Sequence, residues 1–428
     1  MRKMDYQNVR GTQDYLPEDE IIRRKIRRTL GDVFIKYGCE PLETPILNYT
    51  ELLASKYGGG AEILEEMYTL TDRGKRNLAL RYDLTIPFAK VVAMNPTLPM
   101  PFKRYEIGKV FRDGPIKTGR YREFTQCDVD IVGVDSQIAE AELMLMALDV
   151  FNNLDLQIVI EYNNRKLLTG MLEIFGTKSE AINSAVLTID KLAKIGLDGV
   201  LDELKGKGLS TETISLVKQF LTDEDNKNYN YYEPYAEKNE QVKQGLAELI
   251  ELTSYIDYLH INDACVFNPF LARGLDIYTG SIYEMFLLDG SITSSIGSGG
   301  RYDNAISGLI GTDKSFSTVG ISFGLDVIYT ALRLSGRRIE ETDVDYYIIP
   351  LGVRKEALLV AQDYRKKGFN VELEMGNRKL GKALNKANKE KIPYVIIIGE
   401  DEVSRNVIKI KNMETGIEKT KDFLFNKV

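Results

Sequence analysis

The sequence predicts an α+β fold in which a mostly antiparallel sheet, flanked by helices, carries a helical insertion and is followed by a smaller α/β unit. Three observations lead there. Strand-like runs succeed one another between residues 77 and 132, bracketed by long helical stripes. Strand signals almost vanish from about residue 165 to 255. Beyond about residue 343, strand and helix patterns alternate. A length of 428 residues suits two or three domains, each able to bury a core.

The elements follow in order. Ile22, Ile26, Leu30 and Val33 lie at helical spacing over 21–34, with Arg23, Arg24, Lys25, Arg27 and Arg28 as a solvated face. Asn77–Arg81, Phe102–Phe111 and Arg122–Val132 read as strands, and Ser136 as the N-cap of a helix over 137–151. In the insertion, Ile214, Val217 and Leu221 share one stripe and Val242, Leu246 and Leu249 another, separated by a polar loop at Asp223–Tyr232. Strands return at Gly280–Leu288, Gly297–Arg301 and Thr318–Leu325. A linker at Ser335–Asp343 leads to strand Tyr346–Pro350, helix Arg354–Lys367, strand Asn370–Glu374, helix Lys379–Glu390 and strand Tyr394–Gly399, with parallel pairing expected. The boundaries expected are therefore 1–330, with the insertion at about 165–255, and 343–428.

Composition removes several chemistries. His260 is the single histidine, so a multi-histidine metal site is excluded and any histidine-based triad has one candidate; beside Tyr258, Leu259 and Ile261 it reads as a half-buried packing residue. Catalysis must therefore run on Arg, Asp, Glu, Gln and Tyr, with no metal site in the protein. Cys39, Cys127 and Cys265 are odd in number and far apart, which favours a reducing compartment. Apolar runs are too short for a membrane helix and the N-terminus carries no signal-like segment, so a cytoplasmic protein is expected. Residues 343–428 hold 17 basic and 13 acidic residues while the whole chain is at −7, a distribution compatible with a polyanionic partner of the C-terminal unit.

No P-loop or G-x-G-x-x-G turn occurs, and Gly58-Gly59-Gly60 lacks the following Lys-Ser/Thr, so it reads as a loop. The informative block is FRDGPIKTGRYREFTQCDVDIVG, residues 111–133. In a strand-loop-strand hairpin Arg112 and Arg122 converge on one anion, Phe124 offers a flat plate beside them, and Gln126, Asp128 and Asp130 continue the face as acceptors. That surface suits a nucleotide and a polar cationic substrate. On spacing alone, a salt-bridged hairpin accounts for it equally well.

Here the chain resembles the histidyl-tRNA synthetases, a class II aminoacyl-tRNA synthetase family. Arg112 and RYREF look like motif 2, and YGCEPLETPILNYTELL at 37–53 is similar to motif 1. VRGTQDYLPED at 9–19, EEMYTLTDRGKRNLALRYDLT at 65–85, LARGLDIYTGSIYE at 271–284 and GSGGRYDNAI at 297–306 are similar to further blocks of the family, and the C-terminal unit to its anticodon-binding domain. The resemblance implies a class II antiparallel sheet and roles position by position. Asp83 and Thr85 would hold the α-amino group of histidine, with Gln126 and Asp130 around the substrate and Tyr278 at its imidazole. Arg112, Arg122 and Phe124 would bind ATP, and Arg273, with Arg112, would act catalytically at the α-phosphate. It further implies Mg²⁺ with ATP, tRNA(His) as partner, Lys379, Lys382, Lys386 and Lys389 toward tRNA phosphates, and a homodimer built on motif 1.

One position departs from the class pattern. In VGISFGLDVI, Asp326 keeps the acidic position of motif 3, but Val327 replaces the following arginine; Ile277 likewise replaces a tyrosine beside Tyr278. Losing a charge-assisted contact to ATP costs roughly 1.5–3 kcal/mol. The departure keeps a second reading open, a non-catalytic synthetase-like paralogue such as the regulatory subunit of ATP phosphoribosyltransferase, or a histidine or tRNA sensor.

Overall fold

The computed structural model describes residues 6–55, 64–116, 119–273, 277–312, 315–335, 342–376 and 378–425. The glycine run at 58–60, Leu275 and Asp276 of the Arg273 segment, and residues 336–341 of the linker lie outside them. Contacts divide the chain into two compact units, residues 1–14 with 26–336, and 15–25 with 337–428.

The strands, in chain order, are β1 (Glu40–Pro41), β2 (Leu47–Tyr49), β3 (Thr69–Thr71), β4 (Asn77–Leu80), β5 (Phe102–Phe111), β6 (Glu123–Val132), β7 (Ile158–Asn164), β8 (Cys265–Phe267), β9 (Ser281–Leu287), β10 (Gly297–Arg301), β11 (Thr318–Gly324), β12 (Tyr346–Pro350), β13 (Val371–Leu373), β14 (Tyr394–Ile398), β15 (Val407–Asn412) and β16 (Glu418–Asp422). The first unit is built on an eight-stranded sheet of order β1-β5-β6-β11-β10-β9-β7-β8. Its interior pairs are all antiparallel, and parallel pairing occurs only at the edges, β1 with β5 and β7 with β8. A small antiparallel sheet, β2-β4-β3, stands beside it in sequence order.

The helix Ile138–Asn153 covers the sheet with Leu143, Met144, Ala147 and Phe151, all buried, and Phe151 meets Phe323 of β11 at 5.9 Å between ring centres. Ser136 does not cap this helix. Gln137 holds the cap position, and its side chain is turned to Ser281 instead, accepting from the hydroxyl at 2.5 Å. The insertion is helical from Arg165 to Tyr258, as the missing strand signals require. Its polar loop, however, is packed. Residues Glu224–Lys227 and Tyr229–Tyr232 form 3-10 turns, Asn226 and Tyr232 are buried, and each donates locally, the Asn226 amide to Phe220 O and the Tyr232 hydroxyl to Asn226 O, both at 2.7 Å.

Two other expectations are corrected. His260 is exposed, not half-buried; at φ +55° it ends the helix Glu240–Tyr258, donating its N–H to Asp257 O. Arg23 leaves the solvated face of its helix, Pro17–Lys36, because its guanidinium lies 3.6 Å from the centre of the Tyr15 ring.

The second unit is an α/β sheet of order β13-β12-β14-β15-β16. The first three strands pair in parallel, as the alternating pattern requires; β15 and β16 extend it antiparallel through the Asn412–Ile417 turn, an addition that sequence alternation did not register. Helices Arg354–Lys366 and Leu380–Lys389 bury Val360 and Tyr364, and Ala383 and Ala387, in the two cores of this sheet.

In the first unit's sheet, Gly299 has no room for a side chain. A Cβ there would fall on Gly320 O, a backbone atom that cannot step aside, and 2.6 Å from the Tyr283 ring. Gly299→Ala is expected to destabilise the first unit by about 1–3 kcal/mol, read as a lower denaturant midpoint at unchanged m; an unchanged midpoint would contradict this packing.

Candidate active site

The register of three strands makes the site. On β6 and β11, Asp130 faces Gly320, Asp128 faces Ser322 and Gln126 faces Gly324, while Gly300 of β10 faces Gly320 from the other side. Residues paired across antiparallel strands share a face, so carboxylates stand over a floor of glycine and serine. The missing side chains are what leave the hollow. A Cβ on Gly320 would strike Asp130 Oδ1, and one on Gly300 would lie 2.8 Å from the Tyr278 ring. The resulting cleft, about 450 Å³ out to its mouth, is lined by Asp83, Thr85, Asp128, Asp130, Ile277, Tyr278, Ser298, Tyr302 and Ser322 together with the glycines.

The carboxylates differ in what they have free. Both oxygens of Asp130 are engaged, Oδ1 by the Tyr302 hydroxyl and Oδ2 by Arg104 Nη2 at 2.5 Å. Arg104 is fully buried, donates to Leu84 O at 3.1 Å and lies 4.4 Å from the Phe88 ring centre. Asp128, in contrast, keeps Oδ1 buried with no hydrogen-bond partner among the described residues. Burial pushes its carboxyl up to about 7, Arg104 pulling down and Asp130 pushing further up. Asp83, just before the helix Thr85–Met94, accepts from Ile86 N–H at 3.2 Å; burial pushes it up to about 6 against the pull of that N–H, Arg112 and Arg104. An acidic, desolvated hollow with an open acceptor favours a cationic ligand that delivers N–H donors.

The basic residues stand beside it. Arg112 Nε donates to Tyr82 O at 2.9 Å, and its guanidinium lies 5.3 Å from the centre of the Phe124 ring, so this pair forms a charged edge beside a flat plate. Burial pushes Arg112 down, with Asp83 opposing and Arg120 adding to the shift. Arg122 stands beside Arg112, whose N–H donates to Arg122 O at 2.8 Å. Its Nη1 pairs with Asp113 at 2.9 Å, and its stem crosses Gly11, where φ is +86° and a Cβ would come within 2.7 Å of Arg122 Cγ. The backbone joins the same segments, Arg122 N–H to Gly11 O at 2.8 Å. Arg273 pairs with Glu284 of β9 and hydrogen-bonds Tyr278; burial opposes its charge, but these two partners hold it above its ordinary value. Its buried Nε has no hydrogen-bond partner among the described residues.

Of the residues singled out in the sequence, Asp83, Thr85, Asp130 and Tyr278 line the cleft. Gln126 borders it, its Nε2 donating to Ser322 Oγ at 3.0 Å and its Oε1 left without a partner among the described residues. Val327 packs beside Gly119 and Gly324, within 3.4 Å of where their Cβ atoms would lie, so an apolar surface stands at the motif 3 position, while Asp326 accepts from Thr125 N–H at 2.8 Å. Sequence reasoning missed Tyr302, Ser298, Ser322, Arg104 and Glu284, and placed Asp128 on this face only as one acceptor among three. The usable signal for most of them was the strict alternation of β6 opposite a glycine-rich strand.

The raised carboxyls make a pH prediction. Between the unfolded value near 4 and the folded values of about 6 and 7, the folded chain binds more protons, so stability falls as pH rises through that window. Asp128→Asn is expected to flatten this slope and raise the Tm at pH 8 while weakening binding of cationic ligands. Thermal melts from pH 5.5 to 8 check it; an unchanged Tm at pH 8 would contradict the strained carboxylate.

Comparisons with known proteins give the family. A family model described as "Histidyl-tRNA synthetase" matches residues 11–328, and one described as "Anticodon binding domain" matches 345–423. Histidine–tRNA ligase 2 of Shouchella clausii (strain KSM-K16) is 60% identical over 99% of this chain and 100% of its own length. Histidine–tRNA ligase 1 of Bacillus cereus (strain ATCC 14579) is 56% identical, covering 97% of each chain. The crystal structure of histidyl-tRNA synthetase from Nostoc sp. PCC 7120 superposes with a TM-score of 0.86 at 28% identity, covering 98% of this chain and 97% of that one. Matched through both family models and at full length, the chain belongs to the histidyl-tRNA synthetase family.

Proposed function

We propose that this chain is an ATP-dependent histidine–tRNA ligase, which adenylates histidine and then transfers the histidyl group to the 3′ end of tRNA(His). The observation that carries the reading is a carboxylate hollow with an open acceptor at Asp128, set next to a wall of arginines. Full-length relatives named as ligases favour catalysis over the non-catalytic paralogue.

In this reading the ammonium of histidine enters between Asp83 and Thr85, with Gln126 and Asp128 as neighbouring acceptors, and the Tyr278 hydroxyl meets the imidazole. Asp130 holds Tyr302 in place. The adenine lies on Phe124, with Val327 as an apolar neighbour, and the phosphates meet Arg112; Arg122 joins them by giving up Asp113. Mg²⁺ arrives with the ATP phosphates as part of the substrate. A histidine carboxylate oxygen attacks the α-phosphorus and pyrophosphate leaves, while Arg273 offsets the charge that develops on the α-phosphoryl oxygens. The nucleophile is already an anion, so no general base is needed, which suits a chain with one exposed histidine. The 3′-terminal ribose hydroxyl then attacks the activated carbonyl and AMP leaves.

The division of labour follows: a catalytic unit at 1–330 with its insertion at about 165–255, and an anticodon-binding unit at 343–428. Lys379, Lys382 and Lys389 are exposed there and suit tRNA phosphates, whereas Lys386 is committed to Glu372 and Glu390 and lies 4.5 Å from the Tyr347 ring centre. Motif 1 exposes Ile46, Leu47 and Tyr49, a surface suited to the partner of a homodimer. Among the described residues no helix is long and apolar enough to cross a membrane. The proposed site of action is the cytoplasm.

Purified protein is expected to catalyse histidine-dependent exchange of pyrophosphate into ATP. Arg273→Ala should lower kcat by about 10²–10³-fold, and Asp83→Asn should act mainly on the KM for histidine. Folded protein that binds histidine yet shows no exchange would overturn the proposal in favour of a sensor or regulatory role.

A further inference from the structure

We infer that Arg165 is a positioning residue for Arg273, through which the helical insertion sets the placement of the phosphate-facing arginine; the inference rests on the function proposed above. Arg165 is buried and opens the insertion, directly after β7. It reaches two separate points of the segment that carries Arg273 and Tyr278. Its backbone N–H donates to Gly280 O at 2.9 Å, and its Nη1 donates to Arg273 O at 3.3 Å. The other branch, Nη2, donates to Asn183 Oδ1 at 3.0 Å, on the insertion helix Ser179–Ile189. One rigid guanidinium thus ties the backbone of Arg273 to the insertion.

The neighbouring contacts point the same way. Asn163, fully buried on β7, donates its amide to the carbonyls of Pro269 and Leu271, both at 2.9 Å. Asp190, at the end of the Ser179–Ile189 helix, accepts from Ala272 N–H at 3.1 Å. Phe270 stands edge-on to Phe220 of the helix Thr211–Thr222, 5.4 Å between ring centres. The residues leading to Arg273 are therefore fastened from β7 and from two insertion helices. The Arg273 side chain is oriented by Glu284 and Tyr278, which leaves its main-chain position to this clamp. Catalytic groups displaced by about 1 Å lose on the order of a hundredfold in rate. A lysine at 165 keeps the charge but cannot span two acceptors with a planar fork.

The test uses the full chain, beginning with histidine-dependent pyrophosphate exchange and single-turnover adenylate formation for the unaltered protein. Arg165→Ala should lower the adenylation rate by about ten- to a hundredfold, with the Kd for histidine, from equilibrium dialysis, within about threefold, and Arg165→Lys should recover part of the loss. In an Arg273→Ala background, Arg165→Ala should change the rate by less than about threefold, because the group it positions is gone. Equal losses in both backgrounds would show a general structural role and overturn the inference. Asn183 is exposed, so Asn183→Ala decides the matter if Arg165→Ala fails to fold: a loss present with Arg273 and absent without it supports the clamp, and no loss overturns it. Hydrogen–deuterium exchange gives a readout independent of catalysis. Amides at 268–273 should lose protection in Arg165→Ala or, if that variant does not fold, in Asn183→Ala; unchanged protection overturns the inference. Absence of exchange in the unaltered protein would instead count against the proposed function alone.

Discussion

The site hangs on a buried cross-strand ion pair. Arg104 of β5 and Asp130 of β6 are direct neighbours in register, and both are buried. Two buried charges are tolerable only when paired and hydrogen-bonded, and removing one partner of such a pair commonly costs about 3–5 kcal/mol. The surroundings meet part of that demand: Leu84 O accepts from Arg104 beside the Phe88 ring, the Tyr302 hydroxyl donates to Asp130, and Glu106 lies 3.7 Å from Arg104 Nη1, while Arg104 Nε and Nη1 have no hydrogen-bond partner among the described residues. Glu106 in turn takes Arg81 at 2.6 Å and the hydroxyl of Thr44 at 3.0 Å. Asp130 then dictates glycine at 320, since any side chain there would collide with it, and glycine at 320 helps to leave the hollow in which Asp83 and Asp128 stand.

Much of the fold was legible because its causes are local. Phe102–Phe111 alternates between buried and less buried residues along a strand, and the bounds read from the sequence are those observed. Val217, Val242, Leu246 and Leu249 are buried as their helical spacing requires. What the sequence hid depends on distant partners. Arg23 reads as one of five basic residues on a helix until Tyr15 is placed beneath it. His260 reads as a packing residue among apolar neighbours, yet its left-handed backbone ends a helix and turns it outward. The tyrosine-rich stretch at 229–232 reads as a loop because no period reveals that Phe220 and Phe267 wait to receive its rings.

The site was legible by a different route. Spacing alone placed Gln126, Asp128 and Asp130 on one face, as the register shows. It put Arg122 beside Arg112, and the Arg112 N–H does donate to Arg122 O at 2.8 Å, while the Arg122 guanidinium is paired with Asp113. Spacing also treats the two aspartates alike, while burial and hydrogen bonding separate them. Asp130 is spent on Arg104 and Tyr302, whereas Asp128 retains an open oxygen. At Val327 the structure offers packing against Gly119 and Gly324, which makes the motif 3 departure a consistent local solution.

The central claim is that desolvated carboxylates make this hollow selective for a cationic amino acid. Calorimetric titration of the protein with L-histidine and with imidazolepropionate, which keeps the ring and carboxylate but lacks the ammonium, tests it most directly. Asp128, with its open Oδ1, and Asp83 beside it should reject the analogue by at least about a hundredfold, with histidine binding weakening as pH falls through 7 to 6. Comparable affinities for the two compounds, or histidine binding that is insensitive to that pH range, would contradict it.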